Sequence, residues 1–201
     1  MKTILNLTGV AAAAALAALP LRAADGDIGP YVNFEGGPSW AQSVRATSGG
    51  YSGTADLDVG ARFGFAIGYN FHPYFGVEFD TGWAWNDFKD SAYSLTQVPM
   101  LVNGTFRFPN QTGFEPYVGG GAGGVWNTFG VSDCCGDYDS DVVFAWQGLA
   151  GVRYKFNPNM ALGLGYKYLG TLGGEFTTYG IRTELDTMHN HSVNLVWTLK
   201  F

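Results

Sequence analysis

The sequence predicts an all-β fold, an eight-stranded antiparallel up-and-down transmembrane β-barrel, and three observations carry that prediction. In residues 191–201 the large apolar Val193, Leu195, Trp197, Leu199 and Phe201 alternate with the polar Ser192, Asn194, Thr198 and Lys200. A period of two makes a strand with one greasy and one wet face. Seven further segments have comparable length and alternating or glycine-interrupted patterns, and an even number of antiparallel strands can close without an edge. The third observation is composition: 14% charged, 16% aromatic and 30 glycines, against about 25% charged in an ordinary soluble domain.

The chain opens with a targeting pattern. Lys2 supplies positive charge, residues 10–19 are nearly all alanine and leucine, and Pro20, Leu21, Arg22 and Ala23 make a cleavage site. So short an apolar run does not cross a bilayer of roughly 30 Å as a helix. Residues 1–23 therefore read as a secretory signal removed after Ala23, leaving 24–201 as one barrel domain. Without Lys2 and Arg22 the chain keeps 9 basic and 17 acidic residues, a formal charge of −8, which argues against nucleic acid as a partner. Nowhere else does it approach the roughly 18 unbroken apolar residues of a membrane-crossing helix.

Strands are expected at 31–40, 57–70, 74–85, 95–108, 114–126, 142–156, 160–169 and 190–201, each near or above the ten or so residues that cross a bilayer at a tilt. Between them, 71–73, 109–113 and 157–159 are tight turns rich in Pro, Asn and Gly. Longer polar loops occupy 41–56, 86–94, 127–141 and 170–189. Short turns thus gather at one end and long loops at the other. Strands descending to the turn end finish alike: Tyr69, Phe71 and Pro73; Phe106, Phe108 and Pro109; Tyr154, Phe156 and Pro158; Leu199 and Phe201. Outward rings at one level suit an interfacial girdle, with Trp83, Trp85, Trp126 and Trp146 as its upper counterpart.

Face assignment separates this barrel from a soluble one with a greasy lumen. On the second strand Val59, Ala61, Phe63, Phe65, Ile67 and Tyr69 oppose Arg62, Gly64, Ala66, Gly68 and Asn70. On the third, Phe75, Val77, Phe79, Trp83 and Trp85 oppose Glu78, Asp80, Gly82 and Ala84. Eight strands leave room inside only for side chains or one small ligand, so the bulky face must turn outward to lipid. The lumen then holds Glu35, Arg62, Glu78, Asp80, Arg107, Glu115, Arg153, Lys155, Lys167 and Lys200. Arg62 and Asp80 are equidistant from a turn centre at Phe71, and Arg107 and Glu115 from Gln111, so each pair is expected to meet across its hairpin. An unpaired buried charge costs several kcal/mol while a hydrogen-bonded pair roughly breaks even. These groups read as a salt-bridge network plugging the lumen rather than as an ion path, with Gly119, Gly121 and Gly123 leaving space for long neighbours such as Arg153.

With its closing strand and terminal Phe201, the chain resembles the small outer-membrane β-barrel superfamily, the OmpA-like and OmpX-like proteins and their porin-annotated eight-stranded relatives. The resemblance spans the whole mature chain and rests on pattern rather than on a residue signature. It implies location in the cell outer membrane, long loops outside and turns in the periplasm, and an assembly signal at Phe201 read by the barrel-assembly machinery. Lipases and deacylases among such barrels carry His and Ser two apart on one strand face. Here His191 and Ser192 are adjacent, His189 stands three before Ser192, and His72 is in a turn, so no catalytic residues are assigned and no cofactor is expected.

The loop at 132–141 carries Asp133, Asp137, Asp139 and Asp141, but Gly148 stands where the closing glutamate of an EF-hand belongs. It reads as a solvated acidic loop, without a metal. Cys134 and Cys135 are adjacent in an exported, oxidising context. A strained vicinal disulfide and two free thiols are both open to them. The function expected is a non-enzymatic surface barrel serving membrane integrity or adhesion, its loops meeting an extracellular ligand, a host surface or lipopolysaccharide, where Lys89 and Arg182 are candidate contacts. A small porin is the alternative and an outer-membrane lipid-modifying enzyme the second.

Overall fold

In the computed structural model, the described residues are 28–48, 51–89, 93–131, 139–173, 175–178 and 181–201. They form twelve strands: β1 Gly29–Ala41, β2 Val44–Ser48, β3 Tyr51–Ala55, β4 Gly60–His72, β5 Phe75–Asp87, β6 Tyr93–Arg107, β7 Phe114–Val131, β8 Asp139–Asn157, β9 Met160–Thr171, β10 Glu175–Thr178, β11 Ile181–Leu185 and β12 Met188–Lys200. Eight of them close a barrel in the order β1-β12-β9-β8-β7-β6-β5-β4. Every neighbouring pair is antiparallel, and closure comes from β1 pairing with β4 on one side and β12 on the other. Among the described residues no helix is long and apolar enough to cross a membrane; the crossing elements are strands.

The barrel is inverted relative to a soluble protein. Trp83 is 60% exposed, Leu164 57% and Phe156 63%, whereas Arg107, Glu115 and Asp80 are at most 1% exposed. The period-two pattern of each strand is the cause: one-residue parity sends bulk to one face and small or polar groups to the other. Rings gather at the turn end, with Tyr69 against Phe71 at 5.1 Å, Phe106 against Phe108 at 5.0 Å and Tyr154 against Phe156 at 5.3 Å.

Several boundaries differ from the sequence expectation. Leu57 is not the start of a strand; it makes a lone bridge with Phe88, and β4 begins at Gly60. A Cβ at position 60 would collide with the Trp85 carbonyl oxygen, so this glycine permits the close approach of β5. Phe71 and His72 belong to β4, and the turn sits at 73–74, while Phe108 and Phe201 lie just beyond their strands. β7 and β8 run past Trp126 and Val142 to a Phe129–Asp139 pair, so Asp139 and Asp141 stand in a strand rather than in an acidic loop. At the turn before β7, Gly113 has φ +80°, a conformation glycine adopts without a Cβ penalty.

The largest difference is at the loop end. Regions 41–56 and 170–189, expected as loops, contain hairpins β2–β3 and β10–β11, which join into a separate four-stranded sheet ordered β10-β11-β2-β3. Its central pairing sets Glu184 opposite Thr47, far apart in sequence and therefore without a local signal. The expected signal segment at 1–23 and the Cys134–Cys135 pair lie outside the described residues.

Candidate functional site

Inward parity brings predicted charges together from seven strands, β1 and β4 to β9. On the β1–β4–β5–β9 side, Arg62 donates to Glu35 Oε1 through Nη2 at 3.1 Å and Nε at 3.3 Å, and to Asp80 Oδ1 at 3.2 Å. Lys167 Nζ donates to Glu35 Oε1 at 2.6 Å and to Asp80 Oδ2 at 2.5 Å. Two cations and two carboxylates therefore alternate in a closed ring. Gln147 Nε2 adds a donor to Asp80 Oδ2 at 2.7 Å. Glu78 is held by neutral donors instead: Tyr31 Oη at 2.9 Å, Asn33 Nδ2 at 3.2 Å and Asn103 Nδ2 at 3.3 Å.

Nearer the turn end, Glu115 is the hub. Lys155 Nζ lies 2.7 Å from Oε2, and Arg153 Nε and Arg107 Nη1 lie 3.3 and 3.7 Å from Oε1. Arg107 also donates to the His72 carbonyl at 3.0 Å, and the Arg153 guanidinium sits 4.6 Å over the Tyr117 ring. Arg153 links the two groups through a relay. Its Nη1 donates to Thr198 Oγ1 at 3.1 Å, Thr198 donates to Asn33 Oδ1 at 2.8 Å, and Asn33 donates to Glu78. The cavity left among Asn33, Glu35, Glu78, Tyr117, Arg153 and Lys167 is about 10 Å³, room for one water molecule.

The expected hairpin registers are shifted. Arg62 pairs with Ala84 and Asp80 with Ala66; the true turn centre is two residues beyond Phe71, and Arg62 reaches Asp80 diagonally because its side chain is long. Arg107 pairs with Tyr117, while Glu115 faces Arg153 directly on β8. Space beside Gly119 and Gly121 is taken by Leu149, Asn103 and neighbouring backbone rather than by Arg153. Room for Tyr117 comes instead from Gly151 and Gly165, where an added Cβ would meet its hydroxyl at 2.5 and 2.6 Å.

Sequence reasoning missed the layers above the charges. Toward the loop end of β6, β7, β8 and β9, Leu101, Val125, Val143, Ala145 and Leu169 form a buried apolar cluster. Beyond it Asn190 donates to Gln97 Oε1 at 3.0 Å and Asn86 Oδ1 at 3.3 Å, and Gln97 donates to Asn127 at 3.0 Å. Leu57, Leu95 and Met188 pack at the loop-end mouth. Strand parity was the available signal, since Leu101 shares a face with Asn103 and Leu169 with Lys167.

Other sequence candidates fall elsewhere. Ser192 is buried and donation reaches it from Asn194 at 2.9 Å, on the face opposite His189 and His191. Lys89 is exposed just beyond β5, and Phe201 donates its backbone N–H to the Pro30 carbonyl at 3.0 Å, beside the β1–β12 seam. Arg182 lies in β11. Among the described residues no cluster of three metal-ligating side chains occurs.

A closed eight-stranded barrel with rings and aliphatics outside and ions inside is a transmembrane protein of the outer-membrane type. The chain belongs to the family described as outer membrane protein beta-barrel domain, whose model matches residues 10–201, and its place is the cell outer membrane. Its fold is similar to the crystal structure of Neisserial surface protein A, at a TM-score of 0.57 and 19% identity over 86% of this chain and 97% of that one. OprG of Pseudomonas aeruginosa aligns with TM-score 0.59 and 16% identity over 88% and 99%, and the outer membrane protease OmpT of Escherichia coli with 0.51 and 8% over 88% and 98%. At these identities the likeness is one of fold. Among curated proteins none matches.

Proposed function

We propose that this barrel is a non-enzymatic surface protein that anchors a projecting β-sheet in the outer membrane and contributes to membrane integrity. The observation that carries the reading is the filled lumen: two linked ion networks, an apolar cluster and an amide layer succeed one another between the two mouths. Outward histidines without a serine on their face favour the same reading over a lipid-modifying enzyme. The partners proposed are outer-membrane lipid and lipopolysaccharide around the barrel, the barrel-assembly machinery at Phe201, and an extracellular ligand or host surface at the sheet β10-β11-β2-β3. Export on a cleaved 1–23 segment belongs to the same proposal.

A deletion experiment tests it. Replacing residues 44–55 and 175–185 by short Gly-Ser connections removes the projecting sheet while keeping the barrel ladder, since surface loops of different length cost little. Cells carrying the shortened barrel should keep the wild-type resistance to uptake of a hydrophobic dye and lose adhesion to cultured epithelial monolayers. Unchanged adhesion, with the protein present at the surface, would refute a role for the sheet.

A further inference from the structure

On the outside of the barrel β1, β12 and β9 carry apolar residues for most of their length, then change character together. Outward positions on β12 read Leu199, Trp197, Leu195 and Val193, followed by His191 and His189; those on β9 read Met160, Leu162 and Leu164, followed by Tyr166 and Tyr168. These polar rings are organised. Tyr166 Oη lies 2.6 Å from His191 Nδ1 and Tyr168 Oη 2.7 Å from His189 Nδ1. Trp40 stacks on His191 with centroids 6.2 Å apart, and Gln42 brings its amide nitrogen to 3.2 Å from His191 Nε2.

Height decides what meets them. His191 stands ten residues above Phe201; at about 3.3 Å per residue and a tilt of about 40°, that is about 25 Å, the height of the apolar band of such barrels. The cluster therefore sits where acyl chains give way to headgroups on the loop side, which is the outer leaflet. The Gln42 amide nitrogen donates to His191 Nε2, so His191 carries its proton on Nδ1 and donates it to Tyr166 Oη. The Tyr166 hydroxyl proton, the second Gln42 N–H and one donor of the Tyr168–His189 pair are then left for a ligand. Hydrogen-bond donors aimed at an interface of low dielectric suit an anionic oxygen. The Trp40 and tyrosine rings offer flat apolar faces of the kind that sugar rings cover.

We propose that Trp40, Gln42, Tyr166, Tyr168, His189 and His191 form a binding site for the phosphorylated headgroup of an outer-leaflet glycolipid, lipid A. Phenol bonds fix both imidazoles before the lipid arrives, so little rotamer freedom remains to be lost on binding.

Native mass spectrometry of the detergent-purified protein tests this with three probes: lipid A, dephosphorylated lipid A and phosphatidylglycerol. The wild type should retain lipid A most tightly. A His189→Phe/His191→Phe variant, which keeps the rings and removes the ring nitrogens that orient the Gln42 and tyrosine donors, should retain it about tenfold less, and dephosphorylated lipid A should bind the wild type with a similar loss. Migration of the unboiled variant on a gel establishes that it is folded; should it not fold, His191→Gln is used, with a several-fold loss expected. Equal retention by variant and wild type would overturn the site. Phosphatidylglycerol bound as tightly as lipid A would overturn the choice of a glycolipid.

Discussion

Asp80→Ala removes one of the two carboxylates, Glu35 being the other, that touch both Arg62 and Lys167. In the wild type Asp80 is 0% exposed and takes donors from Arg62 at 3.2 Å, Lys167 at 2.5 Å and Gln147 at 2.7 Å. After the substitution two buried cations share Glu35 and the Gln147 amide loses its acceptor. Breaking a buried pair by deleting one partner costs about 3–5 kcal/mol. Lys167→Met makes the opposite imbalance and should cost about as much, whereas the double variant leaves Arg62 and Glu35 as a matched pair. Its stability should lie within about 2 kcal/mol of the wild type, well short of the sum of the single losses. Urea unfolding in phospholipid vesicles, followed through the fluorescence of the six tryptophans, measures all four proteins. Single variants within about 0.5 kcal/mol of the wild type, or a strictly additive double variant, would refute a coupled lumen network.

Three further outcomes follow from the faces and the packing. Phe65 lies six residues above Phe71, about 15 Å at the same rise and tilt, near the middle of the apolar band. Phe65→Arg should therefore cost about 2–4 kcal/mol and reduce assembly in outer-membrane fractions, while Thr54→Arg on exposed β3 should leave assembly unchanged. Gly37→Ala should destabilise by about 1–3 kcal/mol, because its Cβ would meet the Val193 carbonyl oxygen; Gly148→Ala, with nothing within 4 Å, should be neutral to within about 0.5 kcal/mol in the same urea assay. On a detergent gel the unboiled protein should run faster than the boiled one; a single band position would argue against a closed barrel.

Much of this molecule is legible in one dimension because a period of two is a local signal. The barrel strands, their order and the lumen parity of Arg62, Asp80, Glu115 and Lys167 all follow from alternation and hairpin connectivity. Register is less legible. Placing the turn at Phe71 rather than at 73–74 shifts every partner by four residues, from Asp80 to Ala84 for Arg62, and only the reach of Arg62 preserves its contact with Asp80. The sheet β10-β11-β2-β3 has short, weakly alternating strands, and its central pairing joins positions more than a hundred residues apart, so nothing local announces it. The apolar cluster of Leu101, Val125 and Leu169 was hidden by an assumption that apolar residues face lipid, although their parity says otherwise. The outward rings at His189 and His191 were visible as residues, while their bonding to Tyr166 and Tyr168 depends on the β9–β12 register.

Planar-bilayer recording of the purified wild-type barrel tests whether the lumen is filled from one mouth to the other. A filled lumen gives a baseline without steady, large conductance steps, and larger and longer openings in the Asp80→Ala variant than in the double variant. Steady, large steps from the wild-type protein, free of contaminating porin, would contradict it and establish a channel.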